Sequence, residues 1–157
     1  MNTILFESSK SILIEQIYKA TTHGDVNFHK YCDNKGPTVV LIKANDYVFG
    51  GYSKLNWDGV KSKFNTDTTS FLFSLTKKEK YPIKTSIYAI YNVSKTYILG
   101  YGYPDGIILF ENFLTKSTNT GLIGACYGYS NKETPLAGNK KEFKVQELEV
   151  YTLYQLP

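Results

Sequence analysis

The sequence contains no arginine: all 18 basic residues are lysine, set against 14 acids for a net charge of +4. Arginine supplies the planar two-pronged fork that reads guanine or grips phosphate, and lysine offers only a point charge. The lysines are also dispersed. Residues 1–78 carry 10 Lys and 7 acids, residues 79–157 carry 8 and 7, so no basic arm or stripe forms. Nucleic-acid binding is therefore not expected. Cysteine is as scarce, with Cys32 and Cys126 alone in 157 residues, too few for a disulfide framework. No long apolar run exists either. The longest aliphatic stretch, Val39-Val40-Leu41-Ile42, falls far short of the ~20 residues that span a bilayer, so no membrane insertion is expected. The N-terminus has no basic start and meets Glu7 at once, unlike a secretory leader. A reducing cytoplasm with both thiols free is the implied setting. Repeats, low-complexity tracts and interdomain linkers are absent, and the length predicts one domain over 1–157.

Aromatic residues, by contrast, are abundant: 14 Tyr and 9 Phe within a chain that is 42% hydrophobic. Such a composition folds around a core. Leu13, Ile17 and Ala20 recur at helical spacing behind the cap candidates Ser8, Ser9 and Ser11, which predicts a helix over residues 12–20 ended by Gly24. A shorter helix is expected over 27–32, capped by Asp25, before the turn sequence Asp33-Asn34-Lys35-Gly36-Pro37. Strands follow. Residues 38–43 are apolar on both parities and predict an interior strand, and Asn45-Asp46 turns it into a return strand over 47–52. Residues 53–69 read as a long polar loop anchored by Trp57, and Lys77 to Lys84 as a solvated loop. Further short strands are expected at 71–75, 87–91, 97–99 and 107–110, with an extended stretch at 122–129. In the last segment Phe143 and Val145 share one parity and Leu148 and Val150 the other, which predicts a bulge near Gln146-Glu147.

Candidate chemistry is thin. His29-x2-Cys32 has ligand-like spacing, with His23 and Cys126 as conceivable partners, but a closed zinc site wants four ligands from paired knuckles. No metal or other cofactor is expected. Cysteine catalysis needs a thiolate beside a base. Cys32 and His29 lie three apart, with no third group evident to orient the histidine. No Gly-x-Ser-x-Gly elbow is present. Glu147 and Glu149 would share one side of a regular strand and could couple, or simply be solvated. Gly100, Gly102 and Gly106 fit no nucleotide fingerprint and read as a turn between strands.

Taken together, the ordered motifs resemble the TLDc domain family in its protist-rich branch. They begin with Ser9-Lys10-x-Ile12-Leu13, Ile17-Tyr18-Lys19-Ala20 and Gly24, and continue through Phe28-His29-x2-Cys32-Asp33-Asn34-Lys35-Gly36-Pro37-Thr38. Leu41-Ile42-Lys43, Val48-Phe49-Gly50-Gly51-Tyr52 with Trp57, and Phe71-Leu72-Phe73-Ser74-Leu75 carry the middle. Leu136-Ala137-Gly138, Phe143-x-Val145 and Glu147-Leu148-Glu149-Val150-Tyr151 close the match, which covers about residues 8–153. The family's Gly-Pro-x-Phe-Gly-x-Gly-x-Asp stretch is altered. Residues 97–105 keep the glycines and Asp105 but lose the Gly-Pro-x-Phe.

The resemblance implies an α+β, mainly β fold: a two-layer antiparallel β-sandwich flanked by a few short helices. It implies no settled reaction and no cofactor. It points to a non-catalytic, protein-binding regulatory domain linked to the vacuolar-type proton ATPase and to oxidative-stress resistance. The alternatives are an enzyme using Cys32/His29 or Glu147/Glu149, or a sacrificial oxidant scavenger using Cys32 and the tyrosines. The matched residues also have structural duties. Gly50 and Gly51 are expected to permit close backbone approach, Trp57 to fill a core or cover one, Asp33 to cap or bond the turn amides before Pro37, and Glu149 to satisfy buried backbone donors. A protein partner would need an exposed aromatic patch with a few charges. Tyrosine is more plentiful than a core of this size needs, and it is concentrated with a charge at Tyr101, Tyr103 and Asp105, the expected contact for the cytosolic sector of the pump.

Overall fold

The computed structural model describes residues 12–60, 63–92, 96–103, 106–116, 119–128, 135–138 and 140–155. The apolar run after Pro37 becomes β2 (Thr38–Ala44), and a tight turn at Asn45-Asp46 returns the chain as β3 (Tyr47–Ser53). Asn45 takes φ 54° there, a left-handed conformation that Asn tolerates better than most residues. β5 (Phe71–Ser74) pairs with β3, and β6 (Glu79–Pro82) pairs with β5. The first described strand, β1 (Ile12–Lys19), and the last, β12 (Glu147–Gln155), lie on the other side of β2. The first sheet thus runs β1-β12-β2-β3-β5-β6. The second runs β11-β10-β9-β8-β7-β4, built from β4 (Lys63–Asn65), β7 (Ile90–Asn92), β8 (Tyr97–Tyr101), β9 (Ile107–Phe110), β10 (Asn119–Gly121) and β11 (Glu142–Phe143). Every neighbouring pair is antiparallel. Two short helices, α1 (Ala20–His23) and α2 (Phe28–Cys32), flank the sheets. This is the mainly-β sandwich that the resemblance implied.

β2 is interior, bonded to β12 and β3. Its inward parity, Thr38, Val40, Ile42 and Ala44, is buried; on the outward parity Val39 and Leu41 are half-covered and Lys43 is exposed. Between the sheets lies an aromatic core of Trp57, Tyr18, Tyr101, Tyr127, Phe28, Phe49 and Phe113, each fully buried. Buried rings with polar tips need partners. Tyr18 Oη donates to Gly24 O (2.9 Å), Tyr101 Oη to Gly51 O (3.1 Å), Tyr127 Oη to Ala89 O (2.7 Å), and Trp57 Nε1 to Thr38 Oγ1 (3.0 Å). Much of the tyrosine surplus is therefore core material.

Several local expectations give way to pairing. Residues 12–19 form a strand, not a helix, and its cap candidates lie outside the described residues. The strand is held along its length by β12, from Ile12 opposite Gln155 to Lys19 opposite Glu149. The register shifts between Gln16 and Tyr18. The extra residue, Ile17, re-phases the strand so that Tyr18 turns into the core, and this irregularity mimics helical spacing. Leu13, one member of that spacing, is 52% exposed. The helix expected over 27–32 forms from Phe28, but Asn27 is its cap residue. Asp25 instead accepts the Leu114 N–H at 3.3 Å.

The lysine-rich stretch at 77–84 is a hairpin turn followed by β6. Its lysine and proline suit the open edge of a sheet, while Tyr81 points inward. Residues 86–88 and 125–127 are 3-10 turns rather than strand, the second bounded by Gly124 and Gly128 at positive φ. The phase change near Gln146 is no bulge within one strand. Phe143 belongs to β11 in the second sheet and Leu148 to β12 in the first, and the chain crosses the sandwich between them. Phe143, Val145, Leu148 and Val150 are consequently all buried.

Candidate functional site

Helix α2 carries His29 and Cys32 and ends at Asp33. The structure supplies the orienting group that the sequence did not reveal. His29 Nδ1 lies 2.7 Å from Asp33 Oδ1, and Asp33 Oδ2 accepts the Gly59 N–H, also at 2.7 Å. The i, i+4 spacing of His29 and Asp33 was the available signal. The main chain of Asp33 also forms a bridge with that of Trp57, so backbone and carboxylate together pin the loop after β3 to the helix. Cys32 does not join the pair: it is fully buried and burial pushes its thiol well up, opposite to what a nucleophile requires. Gly36 N–H donates to Asn56 Oδ1 (2.7 Å), and the Pro37 carbonyl accepts from Leu153 N (3.2 Å), which ties this turn to β12.

Glu147 and Glu149 do share a side, and both are engaged. Lys19 Nζ sits 3.4 Å from Glu149 Oε1 and 3.9 Å from Glu147 Oε2. Glu147 also accepts the backbone N–H and hydroxyl of Thr21, and Glu149 accepts the Tyr151 hydroxyl at 2.7 Å. Burial and that bond push Tyr151 up to about 12. These carboxylates lock β12 to β1 and α1. Among the described residues no cluster of His, Cys, Asp and Glu could hold a metal ion.

Gly50 and Gly51 serve close approach. A Cβ on Gly51 would sit 2.7 Å from the Tyr101 ring, and one on Gly50 would sit 1.8 Å from the Val40 carbonyl oxygen. The expected contact pair is thereby split. Tyr101 is wholly inside, edge-on to Trp57 with centroids 5.4 Å apart, and offers nothing to a partner. The Ile90–Tyr101 register turns it inward. Tyr103 is 38% exposed, and Asp105 lies outside the described residues.

Tyr103 belongs to a larger assembly on the outer face of the second sheet. Phe64 of β4 stands opposite Tyr91 of β7, and the rings stack at 4.6 Å. Tyr88 and Tyr103 close on Phe64 at 5.1 and 5.0 Å. Tyr97 and Phe110, opposed across β8 and β9, extend the row with centroids 5.0 Å apart. Phe64, Tyr88 and Tyr103 are each more than a third exposed, and Ile87 beside them more than half. Isolated apolar residues at a surface are ordinary, whereas a contiguous patch marks an interaction site. Sequence reasoning missed five of these six rings because they come from separate strands and the turns beside them, and meet only through the strand order and register.

On the inner side of the same edge, a cleft of about 290 Å³ opens between β4, Asn92 and the loop after β3. Six of its seven lining residues are polar.

The fold and surface define a class: an antiparallel β-sandwich domain whose motif residues are committed to structure and whose open chemistry is an aromatic sheet face. The TLDc domain family matches residues 1–154, and the chain belongs to that family. Among its relatives are the MTOR-associated protein MEAK7 of Xenopus laevis, 24% identical over 153 residues, and that of Gallus gallus, 27% identical over 154. Each alignment covers 90% of this chain and about a third (32% and 31%) of the relative. The Danio rerio protein of that name is 47% identical over 45 residues, 28% of this chain and 10% of the relative.

Proposed function

We propose that this chain is a non-catalytic, protein-binding regulatory domain, that it works in the cytoplasm, and that its partner is the cytosolic sector of a vacuolar-type proton ATPase. Support for oxidative-stress resistance follows through that partner rather than through a reactive group of its own. The observation that carries the reading is the open aromatic face around Phe64, Tyr88 and Tyr103. Aromatic side chains that are rigid, partly wet and already clustered lose little freedom on binding and serve as interface anchors. Two further observations agree. Both cysteines are buried, which disfavours oxidant scavenging and thiol catalysis. The relatives carry a name that describes association with another protein. Among the described residues no helix is long and apolar enough to cross a membrane, so contact with a membrane-bound pump would run through its protein surface.

The test is co-purification of pump subunits from native lysate with the wild-type chain and with a Tyr88→Ala/Tyr103→Ala variant. Enrichment with the wild type and at least tenfold loss with the variant is the expected result. Absence of pump subunits from the wild-type eluate rejects the partner. Equal enrichment keeps the partner and rejects the face.

A further inference from the structure

Tyrosine is used in two ways in this chain. The buried rings of Tyr18, Tyr101 and Tyr127 each give their hydroxyl to a backbone carbonyl. On the outer face of the second sheet, Tyr88, Tyr97 and Tyr103 carry hydroxyls with no bonded partner among the described residues. A tyrosine at an interface offers its ring for apolar contact and its hydroxyl as a donor to an acceptor on the other side. The charge set against this row is also a donor. Lys116 is exposed, and its Nζ lies 6.0 Å from the centre of the Phe110 ring. The face therefore suits an occupant rich in acceptors, with an anion toward the Phe110 end.

The set of the rings narrows the choice. Tyr91 is at the centre, with Tyr103 tilted against it by 41° and Tyr97 by 66°. Tyr97 meets Phe110 at 52°, and Phe64 meets Tyr88 at 80°. A base or a sugar ring stacks on an aromatic face parallel to itself, and most neighbours here share no plane. They form a corrugated row with notches between tilted rings. The hydrogen bonds exclude other shapes. The carbonyls of a helix are bonded within the helix, and an added strand uses a sheet's edge rather than its face. A polyproline II segment has no internal hydrogen bonds, so each carbonyl is open to a hydroxyl, and proline has no N–H to leave unpaired. Its pyrrolidine rings form ridges that dock in aromatic-lined grooves. The five prolines of this chain, Pro37, Pro82, Pro104, Pro135 and Pro157, stand far apart, so the segment comes from another protein.

We propose that the aromatic face docks a proline-rich segment of a partner protein in the polyproline II conformation. Its carbonyls accept from Tyr88, Tyr97 and Tyr103, and an acidic residue beside the prolines meets Lys116. This occupant presupposes that the face is the binding surface, as proposed above, and specifies what it binds. Such a segment is extended before it docks, so little chain freedom is lost on binding.

The experiment is an amide-resolved NMR titration of the intact chain, with calorimetry, using blocked octaproline with and without a pair of glutamates at each end. A glycine–serine peptide with the same glutamates and cellohexaose are the comparison probes. Saturable shifts at Phe64, Tyr88, Tyr97 and Tyr103 with both proline probes are expected, and neither comparison probe should match them. Tyr88→Phe/Tyr97→Phe/Tyr103→Phe keeps every ring, removes only the hydroxyls, and should bind at least tenfold more weakly; its thermal midpoint checks that it folds. Lys116→Ala should weaken the glutamate-ended probe alone. Absence of saturable shifts with the proline probes overturns the proposal. Undiminished binding by the Phe variant overturns it as well, because the rings alone would then suffice. Equal binding of the glycine–serine peptide overturns it in favour of an unselective peptide surface, and equal binding of cellohexaose in favour of a carbohydrate platform. Unchanged affinity of Lys116→Ala for the glutamate-ended probe overturns the acidic flank. Beside the pump co-purification the outcomes stay distinct. Proline binding with no pump subunits in the wild-type eluate rejects the pump and supports the segment, while pump enrichment by a chain that binds no proline probe rejects the segment and supports the pump.

Discussion

The two outer faces of the sandwich are built from similar side chains and finished differently. On the first sheet Tyr52 stacks on Phe71 at 5.1 Å, Lys80 lies over Phe71 at 4.2 Å, and Phe71 and Phe73 are buried although they point away from the core. On the far side of β2 and β3, Lys19, Glu147, Glu149 and Tyr151 are tied to one another. On the second sheet the rings of Phe64, Tyr88 and Tyr103 touch each other and remain open. Aromatic content alone does not make an interface. What separates the faces is whether a lysine stem lies over the rings, as Lys80 does over Phe71, or leaves them, like Phe64, Tyr88 and Tyr103, to be covered by something else.

Four measurements test this contrast. The largest effect is expected at alkaline pH. Tyr18, Tyr101 and Tyr127 in the shared core and Tyr151 on the closed face are all raised above the ordinary value of 10, burial being the first cause in each. A raised folded-state pKa favours the protonated form, so the folded chain holds protons that the unfolded chain releases above pH ~10. Stability should be level below that pH and fall steadily above it. Denaturation midpoints measured from pH 8 to 12 check this, and a flat profile would contradict the burial of these rings. Next, Trp57→Ala should lower stability by about 3–5 kcal/mol, the usual loss on emptying a large aromatic site, since Trp57 is wholly buried and hydrogen-bonded to Thr38. Urea unfolding decides; a loss below ~1 kcal/mol would place Trp57 outside the core.

Glu147→Ala tests whether the first face is locked. It removes the Thr21 bonds and one of the two Lys19 contacts, and a loss of about 1 kcal/mol is expected, given how little half-exposed ion pairs contribute. Last and smallest, Tyr88→Ala or Tyr103→Ala should change stability by less than about 1 kcal/mol, as surface substitutions do. A larger drop on thermal melting would mean that the open rings hold the sheet together rather than await a partner.

How far the sequence could be read follows from where its information is local. The β2–β3 hairpin was legible because Asn45-Asp46 is a turn signal between apolar runs, and Trp57, Gly50 and Gly51 were legible through spacing. β1 was not, because one inserted residue at Ile17 converts a strand's alternation into an apparent helical repeat. β6 hid behind its edge lysines. At the candidate site the loss was greater. Asp33 was assigned to the turn, which it does serve, but its hold on His29 needed the helix register. Tyr101 and Tyr103 are two apart in sequence and reach opposite environments, because Tyr101 completes β8 while Tyr103 has left it. The aromatic face and the Asn92 cleft are products of strand order, which no window along the chain contains.

The position of β12 has a consequence for how the protein is made. The last described strand is not at an edge; it lies between β1 and β2, opposite Ile12–Lys19 on one flank and Thr38–Lys43 on the other. During synthesis β1 and β2 emerge before β12 and have no way to join until it arrives, a wait of several seconds at roughly 5–20 residues per second. Through that interval β2, the most aliphatic stretch in the molecule, presents an unpaired flank, the kind of template on which nascent chains associate wrongly. The same insertion makes the finished sheet a latch that closes only behind its final piece. A ribosome that stalls before residue 147 releases a chain with its hydrophobic seam open, and a cell must either shelter that chain or destroy it.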